Sequence, residues 1–579
     1  MHSRRAAGMV LSALILVAML RVASTYRVFS QTVDEPIHIA AGFRWLTTDR
    51  YDFDIEHPPL ARIFFAIDPW LHGADAHLDG NALIARGDRD RHNLAVARAG
   101  NLIWLVVALL FVFAWTKRLA GTGAALIAVA LLGALPPVTA HAGLATTDIS
   151  GAAMTIAALF LFDRWLDERT WPRAIALGLA LGIGAVTKFS FLLFFPLGAV
   201  LLLRRTRITI ARVVVIASIA CVIVFAAYKL EATRLVDLRI ATMPLTSDEH
   251  IAARYAKVRG YEWVRPDLVR RYHAYCRLGA VNVDFVDWAK ASGYPSPLAG
   301  RNGNTMAGAP PLPRPSLIDR FFEPCRRTCQ WLALHIPIPA PTFFRGVQRV
   351  RIHSRLGHPA FLFGERRETG WWYYFPVVLF FKTPLAFLIL AIAGIATMRH
   401  RVVLAPLLML VAAMTSHINI GVRHLLPLFP LLAILAAIGV IALWRRSRLI
   451  TGALLAWYFI ATAIAHPDYL AYFNEAAGSH PERIASDSNL DWGQDLFRLA
   501  DVAHREHLDP LYVSYFGSAD VHRYLPEARD LPGTPVRGWI AVSEEHWIRE
   551  HDRSLRWLAS EKPVRRIGKS IRLYRVSRG

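Results

Sequence analysis

The chain has 579 residues, 54% of them hydrophobic, and a net charge of +22 from 66 basic and 44 acidic side chains. That apolar share excludes an ordinary soluble enzyme, and the basic residues are spread along the chain rather than gathered in one patch, which excludes nucleic acid as a partner. The surplus fits attraction to membrane lipids with anionic headgroups and to phosphate-bearing lipids.

Apolar runs of about twenty residues, the length that crosses a hydrocarbon core of roughly 30 Å, recur along the sequence. They fall near 7–24, 98–117, 121–140, 149–166, 173–188, 189–203, 209–229, 377–398, 402–416, 424–444 and 449–465, which predicts about eleven transmembrane helices. Arg4 and Arg5, Lys117 and Arg118, Arg204 to Arg207, Arg399 to Arg401 and Arg445 to Arg448 alternate onto one side. The positive-inside rule makes that side cytoplasmic, with the N-terminus inside and the C-terminus outside. Val22-Ala23-Ser24 is a weak cleavage-site pattern, and the first span reads as an uncleaved anchor.

The spans divide the chain into an N-terminal membrane region (1–229) with an external acidic loop (25–97), a long external loop (230–370), a second set of membrane helices (371–465) and an extracytoplasmic tail (466–579). The long loop carries an irregular run, GNTMAGAPPLPRP, and ends in an aromatic cluster, WWYYF, of the kind that sits at a membrane interface. In the tail, LYVSYFG, GWIAVSEEHW and SIRLYRVS read as strands and DWGQDLFRLADVAHREH as a helix, predicting a small α/β domain. Cys221 lies in a span, where packing explains it. Cys276, Cys325 and Cys329 lie in the external loop and allow at most one bridge, of open connectivity.

Six acidic residues, two histidines and a Pro-Pro pair crowd into 32–62, TVDEPIHIAAGFRWLTTDRYDFDIEHPPLAR. Asp34-Glu35 opens it and Glu56-His57-Pro58-Pro59 closes it. Between them Ile37, Ala40 and Ala41 share one helical face, and LARIFFAIDPWL predicts a second amphipathic helix along the membrane surface. Asp34, before Glu35-Pro36, also has the form of a helix N-cap, as does Asp148 in LATTDIS. The topology brings Asp148 to the same face as Asp34, and two carboxylates there suit general-base or metal-binding work. The cations on that side are Lys188 and Lys382, both in apolar runs, and Arg423 and His424 in a short loop. Snorkelling to the interface is the plainer account of Lys188. In SDSNLDWGQDL of the tail, Asp487, Ser488, Asn489 and Asp491 favour turns and helix starts. The same segment also offers a polar, acceptor-facing surface with Trp492 placed to stack on a sugar.

VDEPIHIAAG, EHPPLAR, LATTD, FFKTPL and GVRHLLPLFP together resemble the membrane glycosyltransferases of the GT-C superfamily, in the branch of protein O-mannosyltransferases and the lipid A aminoarabinose transferase. The likeness runs from about Arg21 to His466, and SDSNLDWGQDL is similar to a tail motif of bacterial members. It implies a GT-C-like α-helical polytopic protein of the bacterial-type inner membrane. Such an enzyme moves a sugar from a polyprenyl-phosphate carrier to a glycan, lipid or protein acceptor at the outer face. Asp34 would then be the catalytic base and Asp148 the second acid. His57, Arg423, His424, Lys188 and Lys382 would contact the donor phosphate, and Glu35, Glu56, Asp491 and Trp492 would support the site or its acceptor. A divalent cation, if one is used, would fall to Asp34, Asp148 and Glu56. The alternatives are a lipid or solute transporter, whose ionisable residues would sit nearer mid-membrane on repeated halves, and an inactive scaffold.

Overall fold

The computed structural model describes residues 2–204, 209–235, 336–367 and 369–577. The cysteines at 276, 325 and 329, the Pro/Gly run of the long loop, and Arg205 and Arg207 lie outside the described residues.

Each of the eleven apolar runs has a helical counterpart. Among the described residues five helices are long and apolar enough to cross a membrane, six if one bent pair is a single span, and four shorter apolar helices accompany them. The two runs around residue 120 fall in one element, Leu102–Ala134, which loses helical geometry at Gly121 (φ 85°, ψ 175°). Only glycine takes that backbone without strain. Cys221, expected to pack, is exposed on the Ile210–Ala227 helix.

Two of the basic segments assigned to one side of the membrane meet at the end of the Asp148–Asp167 helix. Arg118 pairs with Asp167 and, at 3.4 Å, with Asp163. Arg204 reaches Asp163 at 2.7 Å and Asp167 at 2.5 Å. Within the helical core, Leu385–Thr397 packs on Phe429–Arg446 with backbones almost touching. A Cβ on Gly394 would lie 1.8 Å from the Leu435 carbonyl, and one on Gly439 would lie 1.9 Å from that of Leu390.

The bent pair is Tyr374–Lys382 and Leu385–Thr397, which turn by 112° at Thr383-Pro384. Proline supplies no amide hydrogen, so the break strands carbonyls in an apolar setting. The tail caps them. Asn474 donates from its side chain to Phe380 O (2.6 Å) and Thr383 O (2.9 Å), and from its backbone to Phe381 O (2.8 Å).

The tail is the expected α/β fold. Its sheet runs Arg529–Asp530, Leu511–Ser514, Gly538–Ser543, Ile571–Val576, Arg565–Ile567. The first three strands are parallel and the last two joins are antiparallel. Leu496, Leu499, Ala500 and Ala503 of the Leu496–Glu506 helix bury against Leu511, Val513, Ala541 and Leu573. The run GWIAVSEEHW is strand only to Ser543, and Glu544–Glu550 is helical. The two short outer strands carry too few alternating residues to show in the sequence.

A second compact unit comprises 50–56 and 224–357. In it Ala232–Arg234 pairs with Pro337–Pro339, and Tyr228 makes edge contacts with Tyr51 and Phe343. Glu56 belongs here. It accepts from Arg349 Nε at 2.9 Å and lies 3.4 Å from His353 Nδ1, and these partners hold its carboxyl down at about 2.

Candidate active site

The acidic motif folds as a loop and a helix. Glu35–Thr47 is helical, with Pro36 in its first turn. Its buried face carries His38, Ile39, Ala40, Ala41 and Phe43, while Ile37 is 46% exposed and does not share it. The second helix predicted in this region is two short pieces, Leu60–Phe65 and Ile67–Leu71, divided at Ala66.

Asp34 occupies the N-cap position of the Glu35–Thr47 helix, yet its side chain makes no capping bond. Its Oδ2 accepts from Arg423 Nη1 at 2.6 Å instead. Asp148 behaves in the same way. The helix Asp148–Asp167 begins on the aspartate itself, Thr147 is the N-cap, and the carboxylate turns to Lys188 Nζ, with His141 Nδ1 3.8 Å from its other oxygen. Capping therefore explains neither acid. Arg423 lies within electrostatic reach of both. The two differ in access, since 28% of the Asp34 side chain is exposed against 3% for Asp148.

Glu35 is wholly buried and forms the hub of the support. Arg98 grips it with Nε on Oε1 and Nη2 on Oε2, both at 2.8 Å. The same carboxylate accepts from the backbone of Ala145 and of Thr32, also at 2.8 Å. Arg98 also donates to the carbonyls of Tyr26, Phe29 and Ser30. One ion pair thus ties the loop before Asp34 to the loop before Asp148. Asn101 adds a bond to Thr146 O at 2.9 Å. Arg98 gave no signal in the sequence, because an arginine two residues before Gly100 looks like any polar helix end.

The histidines of the motif meet edge to face. His38 and His57 have ring centroids 4.9 Å apart, and His38 Nδ1 accepts from the buried Arg62 Nε at 2.9 Å. His424 lies half-buried beside the ring of Phe375.

The tail motif is not an open surface. Trp492 is 2% exposed, with the Arg423 guanidinium 4.3 Å above its ring and His141 at its edge. No face remains for a sugar. Asp491 is fully buried and takes the amides of Gly493 (3.1 Å) and Glu545 (2.9 Å), so it cannot face an acceptor either. Nor do Asp487, Ser488, Asn489 and Asp491 cap the helix that follows, which starts at Leu496 with Asp495 in the N-cap position. Lys382, buried at 1% exposure, donates to the tail carbonyls of Leu470 (2.8 Å) and Asn489 (2.5 Å) and lies over the Phe473 ring. Its hydrogen bonds are spent on holding the tail.

A divalent cation finds no ready seat on Asp34 and Asp148. Each carboxylate is already matched by a cationic side chain, and binding a metal there would require displacing Arg423 or Lys188.

Residues 90–228, which include Arg98, Asp148 and Lys188, match the family model of dolichyl-phosphate-mannose-protein mannosyltransferase. The match bears out the resemblance to GT-C glycosyltransferases across that stretch. No curated protein matches the chain. Among solved structures, the chain is similar to ArnT from Cupriavidus metallidurans bound to undecaprenyl phosphate, with 13% identity, a TM-score of 0.42 and 98% of each chain covered. It is also similar to the oligosaccharyltransferase AglB from Archaeoglobus fulgidus in complex with an inhibitory peptide and a dolichol-phosphate, with 13% identity, a TM-score of 0.41, and 92% of this chain and 69% of that one covered. The Archaeoglobus fulgidus oligosaccharyltransferase in complex with Zn and sulfate gives 13% identity and a TM-score of 0.38 over 92% of this chain and 68% of that one.

Proposed function

We propose that this chain is a multi-pass membrane glycosyltransferase that moves a hexosyl or pentosyl group from a polyprenyl-phosphate carrier to a hydroxyl acceptor on a glycan, lipid or protein. The observation that carries the reading is the pairing of an accessible carboxylate, Asp34, with Arg423, beside a second buried acid–cation pair, Asp148 with Lys188. Transfer breaks the bond between the anomeric carbon and the carrier phosphate and forms one to the acceptor oxygen. The acceptor proton passes to the Asp34 carboxylate, and the phosphate departs with an additional negative charge. Arg423 offers a planar fork for that charge, and such charge stabilisation commonly supplies the largest share of the rate. Asp148, closed off from solvent, orients Lys188 and His141 at the back of the site. His57 and His424 are the further candidates for contact with the carrier phosphate.

The site faces outward, the N-terminus is cytoplasmic and the tail is extracytoplasmic in a bacterial-type inner membrane. This orientation rests on the positive-inside reading of the arginine-bearing loops, two of which meet at Asp163 and Asp167.

Membranes carrying the wild type or Asp34→Asn, at matched protein levels, are to be given radiolabelled polyprenyl-phosphate sugars. Transfer by the wild type and its loss in the variant supports the reading. Equal transfer by both removes Asp34 from the chemistry.

A further inference from the structure

The tail segment 486–494 is threaded into the site at three points. Arg423 sits in the first turn of the 3-10 helix Val422–Leu428, directly after Gly421. On one side of that glycine Ser488 Oγ donates to Ile420 O at 2.6 Å, and on the other the Val422 amide donates to Asn489 Oδ1 at 3.0 Å. The fit is tight enough that a Cβ on Gly421 would lie 2.1 Å from Ser488 Oγ. At the third point the backbone of Val33, one residue before Asp34, donates to Trp492 O at 3.1 Å. The ring of that same Trp492 lies under the Arg423 guanidinium at 4.3 Å.

We propose that Trp492 is a positioning residue of the site: its carbonyl sets the loop carrying Asp34 while its ring sets Arg423, so that the two meet. The proposal deepens the glycosyltransferase reading and rests on it for the ligand of Arg423. An arginine side chain has several freely rotating bonds, and its order must come from contacts. Asp34 supplies one contact, and an indole face in a dry setting supplies another of comparable worth. When a donor phosphate draws on Arg423, the indole still holds the guanidinium in place. Trp492 touches no reacting atom in this role.

The test is a double-mutant cycle on the full-length protein in detergent with undecaprenyl phosphate as the probe. Trp492→Leu removes the aromatic face and Trp492→Phe keeps one. We expect Trp492→Leu to weaken binding roughly tenfold, Trp492→Phe to restore most of it, and the Trp492→Leu/Arg423→Ala double variant to bind no worse than Arg423→Ala alone. Additive losses, or unchanged binding by Trp492→Leu, overturn the proposal. If the wild type binds no undecaprenyl phosphate, the glycosyltransferase reading fails separately. The same cycle read as melting temperature then decides the positioning role, which non-additive shifts support and additive shifts overturn.

Discussion

Asp34 and Arg423 are 389 positions apart in the chain and meet at 2.6 Å. Each lies next to a residue whose backbone is bonded to the tail, Val33 to Trp492 and Val422 to Asn489. The pair is thus a product of three distant segments, and its chemistry is the first thing to measure. Asp34→Asn keeps the shape and removes the base, which predicts a fall in turnover of about 10²- to 10⁴-fold. Arg423→Lys keeps the charge but loses the fork that meets the departing phosphate, and we expect it to lower kcat more than it raises KM for the donor. Steady-state kinetics on both variants checks this, and near-normal turnover by Asp34→Asn would contradict it.

Glu35 stands next to Asp34 in sequence but works differently. Removing one partner of a buried, fully hydrogen-bonded ion pair leaves an uncompensated charge and costs about 3–5 kcal/mol. Glu35→Ala and Arg98→Ala should therefore lower the melting temperature sharply or prevent accumulation in membranes. A Glu35→Ala protein with wild-type stability and lost transfer would instead make Glu35 a participant in the reaction.

Asn474 supplies two side-chain donors to the carbonyls freed at Thr383-Pro384. Asn474→Ala leaves these acceptors unmet, at about 1–3 kcal/mol for a buried group. Asn474→Asp places a carboxylate against carbonyl oxygens and should be worse. Thermal melting of the two variants beside the wild type gives the order, and an Asp variant as stable as wild type would refute the capping role.

Asp487 gives the protein a pH signature. Burial, and next the charge of Glu545, push its carboxyl up to about 7, against an opposing pull from Arg423. The folded state therefore holds this proton more tightly than the unfolded chain does. The stabilising contribution is complete below about pH 4 and is lost as pH rises through about 7. Asp487→Asn keeps an acceptor for the Ser488 amide and removes the titration. Its melting temperature should vary less between pH 4 and 8 than that of the wild type and exceed it at pH 8. Parallel curves for the two proteins would contradict the assignment.

The membrane helices were legible because apolar length is a local property, and so were the central strands of the tail, where alternation runs for several residues. Asp34, Asp148, Lys188 and Arg423 could be placed on one face by topology alone, since each flanks a span. Their pairing could not, because no periodicity records a contact between residues hundreds of positions apart. Lys382 misled for a related reason. A lysine in an apolar run signals that something polar faces it, and here that something is the backbone of a distant segment. Trp492 and Asp491 have the residue types of an exposed binding surface, and only the fold shows them enclosed.

The way Trp492 and Asn489 hold Val33 and Val422 also sets an order of events during synthesis. Asp34, Asp148 and Arg423 can all be inserted while the tail is still being made. Asp34 and Arg423 remain without their shared brace until residues 486–494 have been made and docked. A chain cut short before residue 486 has the helices that carry Asp34 and Arg423 but neither of the two hydrogen bonds that hold their neighbours.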